Sequence, residues 1–215
     1  MSTYILLSAG SGRAMQSKGA RSLLTYNGLA VIDHQIATIQ KFDKKADIVV
    51  VTGVGHEKII KHIGKKDYDV RILFNYNYKL TSQTESLRLA FNAIRRDSVY
   101  IIHGDIIFNG AALCSGSKSH VVMSSGDDKK SVGVLSDSDG VVRLSYGLQE
   151  KWGQIAYLSK KDFQIARDTI NSFKNNKMTF EYINMLLDSI KMSIIYDGVK
   201  VVEINKNYED FSNNI

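Results

Sequence analysis

The sequence predicts an α/β fold: a Rossmann-like, mostly parallel sheet with a small antiparallel hairpin region. Three observations carry this expectation. Four short runs, Tyr4–Leu7, Ile48–Thr52, Val70–Phe74 and Val99–His103, are apolar at nearly every position, the mark of strands buried on both faces. Helical patterns separate them. After about residue 118 the pattern changes to short strands divided by Gly-Asp-Asp and Asp-Ser-Asp-Gly turns, which signals antiparallel hairpins.

The elements follow in order. Ile32, Ile36 and Ile39 share one face of a first helix, and His56–Ile63 reads as a short helix after the Gly53–Gly55 turn. Leu87, Ala90, Phe91 and Ile94 share the face of a third helix. Together with the four strands these give β-α-β-α-β-α-β, one doubly wound half. Strands are then expected at His120–Ser124, Ser131–Leu135, Val141–Ser145 and Gly153–Leu158. Ser159 to Asp162 is a capping-box pattern opening a helix to about Phe173. A helix over Thr179–Lys191 and a strand over Lys200–Ile204 close the chain.

With 215 residues one domain with a single substantial core is expected. The net charge of +6 suits an anionic small ligand. No dense Lys/Arg run with interleaved aromatics occurs, so a nucleic-acid partner is not favoured. Cys114 is the only cysteine, which excludes an intrachain disulfide and a cysteine-based metal site and fits a reducing compartment. The opening apolar run is too short for a signal h-region or a membrane span. A cytoplasmic protein without a membrane partner is therefore expected.

In an open α/β sheet the ligand site lies beyond the carboxyl ends of the strands. The first strand yields Ser8-Ala9-Gly10-Ser11-Gly12-Arg13, with Lys18 and Arg21 close behind. A strand opening into a glycine-rich basic loop suits polyphosphate, because glycines let backbone N–H groups approach oxygens and the cations supply charge. A dinucleotide fingerprint would need a third glycine at Met15 and an acidic residue outside the helix where Asp33 falls. The third strand yields Asn75, the fourth Gly104-Asp105, and the last Asn205, followed by Glu209-Asp210. A phosphate loop with carboxylates and amide oxygens on one edge suits Mg²⁺-assisted chemistry on a nucleoside triphosphate. Asp137-Ser-Asp-Gly140 reads as a hairpin turn, since the distal position of a calcium loop would be Tyr146.

These residues resemble the nucleotidyltransferases with a GT-A-like fold, which include the sugar-1-phosphate nucleotidyltransferases and the phosphocholine cytidylyltransferases. Leu7-Ser-Ala-Gly-Ser-Gly-Arg-Ala-Met15 is similar to the family's opening pattern, Ala20-Arg-Ser-Leu-Leu24 to its P-K-x-L-L, and Asn27 to His34 to its following turn. Val70 to Asn75, Ser82 to Leu87, Gly104-Asp105, Glu150 to Ile155 and Val202 to Asn205 with Glu209-Asp210 resemble its later motifs in order. The chain departs from the pattern in three places. Arg13 is shifted by one position, Arg21 stands where a lysine is usual, and Asn205 stands where an aspartate is usual.

The resemblance implies a single GT-A-like domain with a nucleotide-binding half over 1–118 and an acceptor-binding half over 119–215. It implies transfer of a nucleoside monophosphate, CMP from CTP by preference, to a small phosphorylated or phosphonate acceptor such as phosphocholine, with Mg²⁺ as cofactor. Sugar 1-phosphate as acceptor and a non-catalytic nucleotide-binding relative are the alternatives. A glycosyltransferase of similar fold would place D-x-D where His103-Gly104-Asp105 stands. Implied nucleotide contacts are Leu7, Ser8, Ala9, Gly10, Ser11, Gly12 and Arg13, with Arg13 and Arg21 catalytic at the phosphates. Gln83 and Ser86 either meet the base or open a helix. Lys151 either binds the acceptor or is a surface lysine. Asp105 is the implied metal ligand, and Asn205 is a second ligand or a turn former. His103 reads as a strand end, and the resemblance allows a homodimer.

Overall fold

A computed structural model describes residues 2–10, 19–94, 98–114, 116–125, 130–172 and 176–204. The strands are β1 (Thr3–Ser8), β2 (Thr25–Tyr26), β3 (Leu29–Ala30), β4 (Asp47–Thr52), β5 (Arg71–Phe74), β6 (Val99–His103) and β7 (Ile106–Phe108). They continue with β8 (His120–Met123), β9 (Val132–Asp137), β10 (Gly140–Tyr146), β11 (Glu150–Leu158), β12 (Ser193–Ile195) and β13 (Val201–Glu203). The helices are α1 (Val31–Phe42), α2 (His56–Lys66), α3 (Gln83–Ala93), α4 (Lys160–Ser172) and α5 (Thr179–Leu187).

The central sheet runs β10-β9-β11-β6-β1-β4-β5, with β8 pairing β11 and β12. Its heart is parallel: β1 pairs with β4 and β6, and β4 pairs with β5. Alternation along β1 divides the core. Tyr4 and Leu6 pack with Ile32, Ile36 and Ile39 of α1 and Ile59 of α2, while Ile5 and Leu7 pack with Phe91 of α3, Phe163 of α4 and Tyr182 of α5. Helices thus cover both faces, as the unbroken apolar runs predict.

β8 and β9, expected as neighbours in a hairpin, do not pair with each other. Both pair with β11, which runs from Glu150 rather than Gly153 and joins the antiparallel strands to β6. A nine-residue strand is long enough to serve several partners along its length. β9 and β10 do form the expected antiparallel hairpin. Four short strands escape the sequence pattern. β7 pairs with β13, and β12 lies parallel to β8. β2 and β3 form a hairpin across Asn27 and Gly28, whose φ of 45° and 77° are the two left-handed positions a type I′ turn needs. α5 stops at Leu187 rather than Lys191. At α4 the reciprocal capping box is replaced by a buried carboxylate: the Ser159 and Ser119 hydroxyls both donate to Asp162, at 2.9 and 2.6 Å. Among the described residues, no helix is long and apolar enough to cross a membrane.

His120, buried in β8 and stacked on Tyr157 at 5.0 Å, has its pKa pushed down to about 4 by burial. The unfolded imidazole takes up its proton near pH 6.5, so between pH 6.5 and 4 the unfolded state binds more protons and stability falls as pH falls. Urea unfolding at pH 7 and pH 4.5 should show the wild type losing about 2–3 kcal/mol more than His120→Phe. An equal loss in the two proteins would contradict the assignment.

Candidate active site at the strand ends

The carboxyl ends of β1, β5 and β6 meet on one edge of the sheet. The turn Ser8-Ala9-Gly10 leaves β1 between two neighbouring loops. The Gly104 N–H donates to the Leu7 carbonyl at 3.0 Å, and the Val54 N–H donates to the Ala9 carbonyl at 3.2 Å. A Cβ at Gly104 would lie 2.5 Å from Ser8 Oγ, and one at Gly53 would lie 2.5 Å from the Ala9 oxygen. Only glycine permits backbones to approach this closely.

Asp105 sits in the tight turn between β6 and β7. Gln35, from α1, fixes that turn by donating to the carbonyls of both His103 and Ile106 at 2.8 Å. A 3₁₀ turn over Arg21–Leu23 brings Arg21 to the same place, where its Nη1 donates to Asp105 Oδ2 in an ion pair. The β13–β7 pairing sets Glu203 opposite Ile106. Beyond it, the Ile204 N–H donates to the Asp105 carbonyl at 2.7 Å. Gln154, from β11, donates to Glu203 Oε2 at 3.0 Å, and Lys151 Nζ lies 3.9 Å from the same oxygen.

The opposite wall is the segment from β5 into α3. Asn75 is 2% exposed. Its amide donates to Ser86 Oγ at 3.1 Å and Thr81 Oγ1 at 3.3 Å, and its carbonyl accepts from the Asn77 N–H at 3.0 Å. These bonds lock the turn that carries Tyr78 and Lys79 to the start of α3. Gln83 does open that helix, but its carbonyl also accepts from the Thr179 N–H and hydroxyl, both at 2.9 Å, tying α3 to α5.

Between the walls lies a cavity of about 560 Å³ lined by Leu7 to Gly10, Arg21, Gln83, Ser86 and Asp105. Among the described residues seven buried side-chain polar atoms lack a hydrogen-bond partner, and four of them line this cavity: Ser8 Oγ, Arg21 Nε, Ser22 Oγ and His103 Nε2. Unpartnered buried polar atoms are costly and uncommon, so their concentration here marks a surface built to receive a polar ligand. A second cavity of about 250 Å³ shares Arg21, His103 and Asp105 and extends toward Trp152, Phe180 and Glu203. Burial holds the His103 imidazole neutral, lowering its pKa against the opposing pull of Asp105. Burial also raises the Glu203 carboxyl, with the Asp105 charge adding to the effect.

The structure therefore gathers Leu7, Ser8, Ala9, Gly10, Arg21, Gln83, Ser86 and Asp105 at one cavity, and Lys151 reaches the region through Glu203. Ser11, Gly12, Arg13 and Asn205, with Glu209 and Asp210, lie outside the described residues. The sequence reading missed Gln35 and Gln154, since a single glutamine in a helix or strand carries no spacing signal. It also took His103 for a strand end only.

A model of the MobA-like NTP transferase domain matches residues 4–142, more than half of the chain. The chain is 30% identical over 109 residues to the bifunctional protein GlmU of Caldicellulosiruptor saccharolyticus, a match spanning 50% of this chain and 23% of that protein. It is 27% identical over 146 residues to the GlmU of Streptomyces griseus, spanning 65% of this chain and 29% of that protein. The matched region is thus under a third of the length of these curated relatives. Among solved structures, the CTP:phosphocholine cytidylyltransferase of Streptococcus pneumoniae superposes with a TM-score of 0.75 at 16% identity, covering 94% of this chain and 93% of that one. The inositol-1-phosphate CTP transferase of T. maritima gives 0.72 at 14% identity, covering 94% and 88%. The structural likenesses establish the fold, and the domain match establishes the family: this chain belongs to the MobA-like NTP transferases.

Proposed function

We propose that the chain is a Mg²⁺-dependent nucleotidyltransferase that moves CMP from CTP to a small zwitterionic phosphate or phosphonate such as phosphocholine, with release of pyrophosphate. The observation that carries this reading is the set of unpartnered polar atoms facing one cavity that a second cavity joins at Arg21 and Asp105. Two ligands reacting with each other need such a junction.

The donor chemistry fits Mg²⁺, which takes one or two carboxylates and completes its shell with phosphate oxygens and water. Asp105 offers such a carboxylate at 9% exposure, and Asn205 would be the second protein ligand. Among the described residues no cage of three or more His, Cys, Asp or Glu occurs, in keeping with an ion held partly by its substrate. When bound, the ion would neutralise phosphate charge at the reacting centre.

In this reading the Ser8–Gly10 backbone, Gln83 and Ser86 hold the nucleoside. Lys151 neutralises the acceptor phosphate. An acceptor oxygen forms a bond to the α-phosphorus as the bridging bond to the β-phosphate breaks, and pyrophosphate leaves with the electron pair. Arg21 and Arg13 receive the charge that develops on it; arginine grips phosphate bidentately. The neutral, buried His103 adds no competing positive charge. Tyr146 and Phe180, in edge contact at 5.4 Å, together with Glu203 supply faces and charge for an amine cation at the acceptor end.

A second reading, a nucleotide-binding relative without turnover, draws support from the ion pair of Arg21 with Asp105, which occupies both groups at once. Pyrophosphate release from CTP, UTP, GTP and ATP with phosphocholine, phosphoethanolamine and glucose 1-phosphate separates the readings. CTP with one of the two zwitterionic phosphates should be fastest, and release from no pair would favour the non-catalytic relative.

Asp105→Ala should lower pyrophosphate release by about 10²-fold or more while the unfolding temperature stays within a few degrees of wild type; unchanged release would contradict the metal assignment. Arg21→Gln should cut kcat by about 10²-fold with a smaller effect on the nucleotide KM. Arg21→Lys, which restores the cation, should recover part of that loss, and equal activity of the Gln and Lys variants would remove Arg21 from the reaction.

A further inference from the structure

β11 breaks its pairing with β8 between Trp152 and Ala156, and within that break Gln154 has φ of 59°. This left-handed region favours glycine, and a residue such as glutamine there is uncommon. Bulges of this kind re-aim side chains beside functional sites. Here the glutamine amide donates to Glu203 Oε2 at 3.0 Å, and Gln154 lines the smaller cavity with Trp152, His103 and Glu203. Lys151 also approaches Oε2, while Oε1 of Glu203 has no hydrogen bond among the described residues. His103 is 8% exposed, and its Nε2 has no partner. Trp152 commits its indole N–H to the Ile155 carbonyl at 3.0 Å, leaving the cavity an aromatic surface without a donor.

We propose that Gln154 is the specificity-determining residue of the acceptor pocket. Its bulged backbone holds the side-chain amide against one oxygen of Glu203, so that the other oxygen is left to the non-phosphate end of the acceptor. This rests on reading the smaller cavity as the acceptor side. A free carboxylate oxygen recognises N–H and O–H donors. The acceptor favoured by this arrangement therefore carries such donors: a primary ammonium, as in phosphoethanolamine, is preferred to the donor-free quaternary ammonium of phosphocholine.

The chain has one tryptophan, and it lines this cavity, so its fluorescence reports occupancy. Phosphoethanolamine, phosphocholine and glucose 1-phosphate are each titrated into the protein saturated with a non-hydrolysable CTP analogue, for wild type, Gln154→Gly and Gln154→Ala. Phosphoethanolamine should give a saturable change in the wild type. Its midpoint should rise about tenfold in both variants, as for the loss of one charge-assisted contact, with nucleotide affinity unchanged. Thermal unfolding separates the backbone from the amide: Gln154→Gly should melt at or above the wild-type temperature and Gln154→Ala below it. A wild-type midpoint in Gln154→Gly, phosphocholine binding as tightly as phosphoethanolamine, or no response to either in the wild type would each overturn the proposal. A Gln154-dependent response without pyrophosphate release would contradict the transferase reading and leave the assignment of Gln154 standing.

Discussion

The strand-end turns that carry Ser8 to Gly10, Gly53 and Gly104-Asp105 take their position from β1, which is hydrogen-bonded along both edges and buried on both faces. The register sets Ser8 against Thr52 of β4 and Leu7 against His103 of β6. The three strands therefore end level, and the turns that follow them, at Ala9, Gly53 and Gly104, meet within van der Waals contact. A slip of one residue in that register would exchange the two core faces and separate the turns. Burial holds the register: Ile5, Leu6, Val49, Val50, Ile101 and Ile102 are all fully buried, each contributing on the order of 1.5–3 kcal/mol on removal from water.

On that platform the electrostatics divide cleanly. Asp105 and Glu203 are two carboxylates close enough for one to raise the pKa of the other, and each has been given a donor partner. Arg21 holds Asp105, while Gln154 and Lys151 approach Glu203. Like charges brought together at reduced solvation are tolerated only with such partners. Under the proposed function, a triphosphate in the larger cavity would compete with Asp105 for Arg21, and an acceptor phosphate would compete with Glu203 for Lys151. The same cations that pair with these carboxylates are those that anionic ligands would recruit, so under that reading binding on each side would rearrange the junction between the cavities.

Much of this was legible in the sequence, for identifiable reasons. Strands buried on both faces leave uninterrupted apolar runs, so β1, β4 and β6 fell where expected, and with them Ser8 to Gly10 and Asp105; β5 also fell where expected but, as the edge strand of the sheet, is only partly buried and not covered on both faces. Helices with one buried stripe, α1 to α3, were equally plain. What escaped depends on contacts distant in sequence. Three-residue strands such as β7 and β12 are too short to show a period and exist because another strand pairs with them. The exchange of neighbours among β8, β9 and β11 is decided by the length of β11, which no turn motif encodes. Gln35 and Gln154 act through hydrogen bonds across 68 and 49 positions, and no local pattern marks a glutamine for such work. The left-handed backbone of Gln154 runs against propensity, and strained exceptions of that kind concentrate at functional sites.

The central claim is that the bond broken lies between the α- and β-phosphates and that the junction at Arg21 and Asp105 serves that bond. Isotope tracing tests it most directly. CTP labelled at the α-phosphorus and CTP labelled at the γ-phosphorus are each incubated with Mg²⁺ and the fastest acceptor. The α-label should appear in the acceptor product and the γ-label in pyrophosphate, in equal amounts. Transfer of the γ-label to the acceptor, its release as inorganic phosphate, or retention of both labels in CTP would contradict the account.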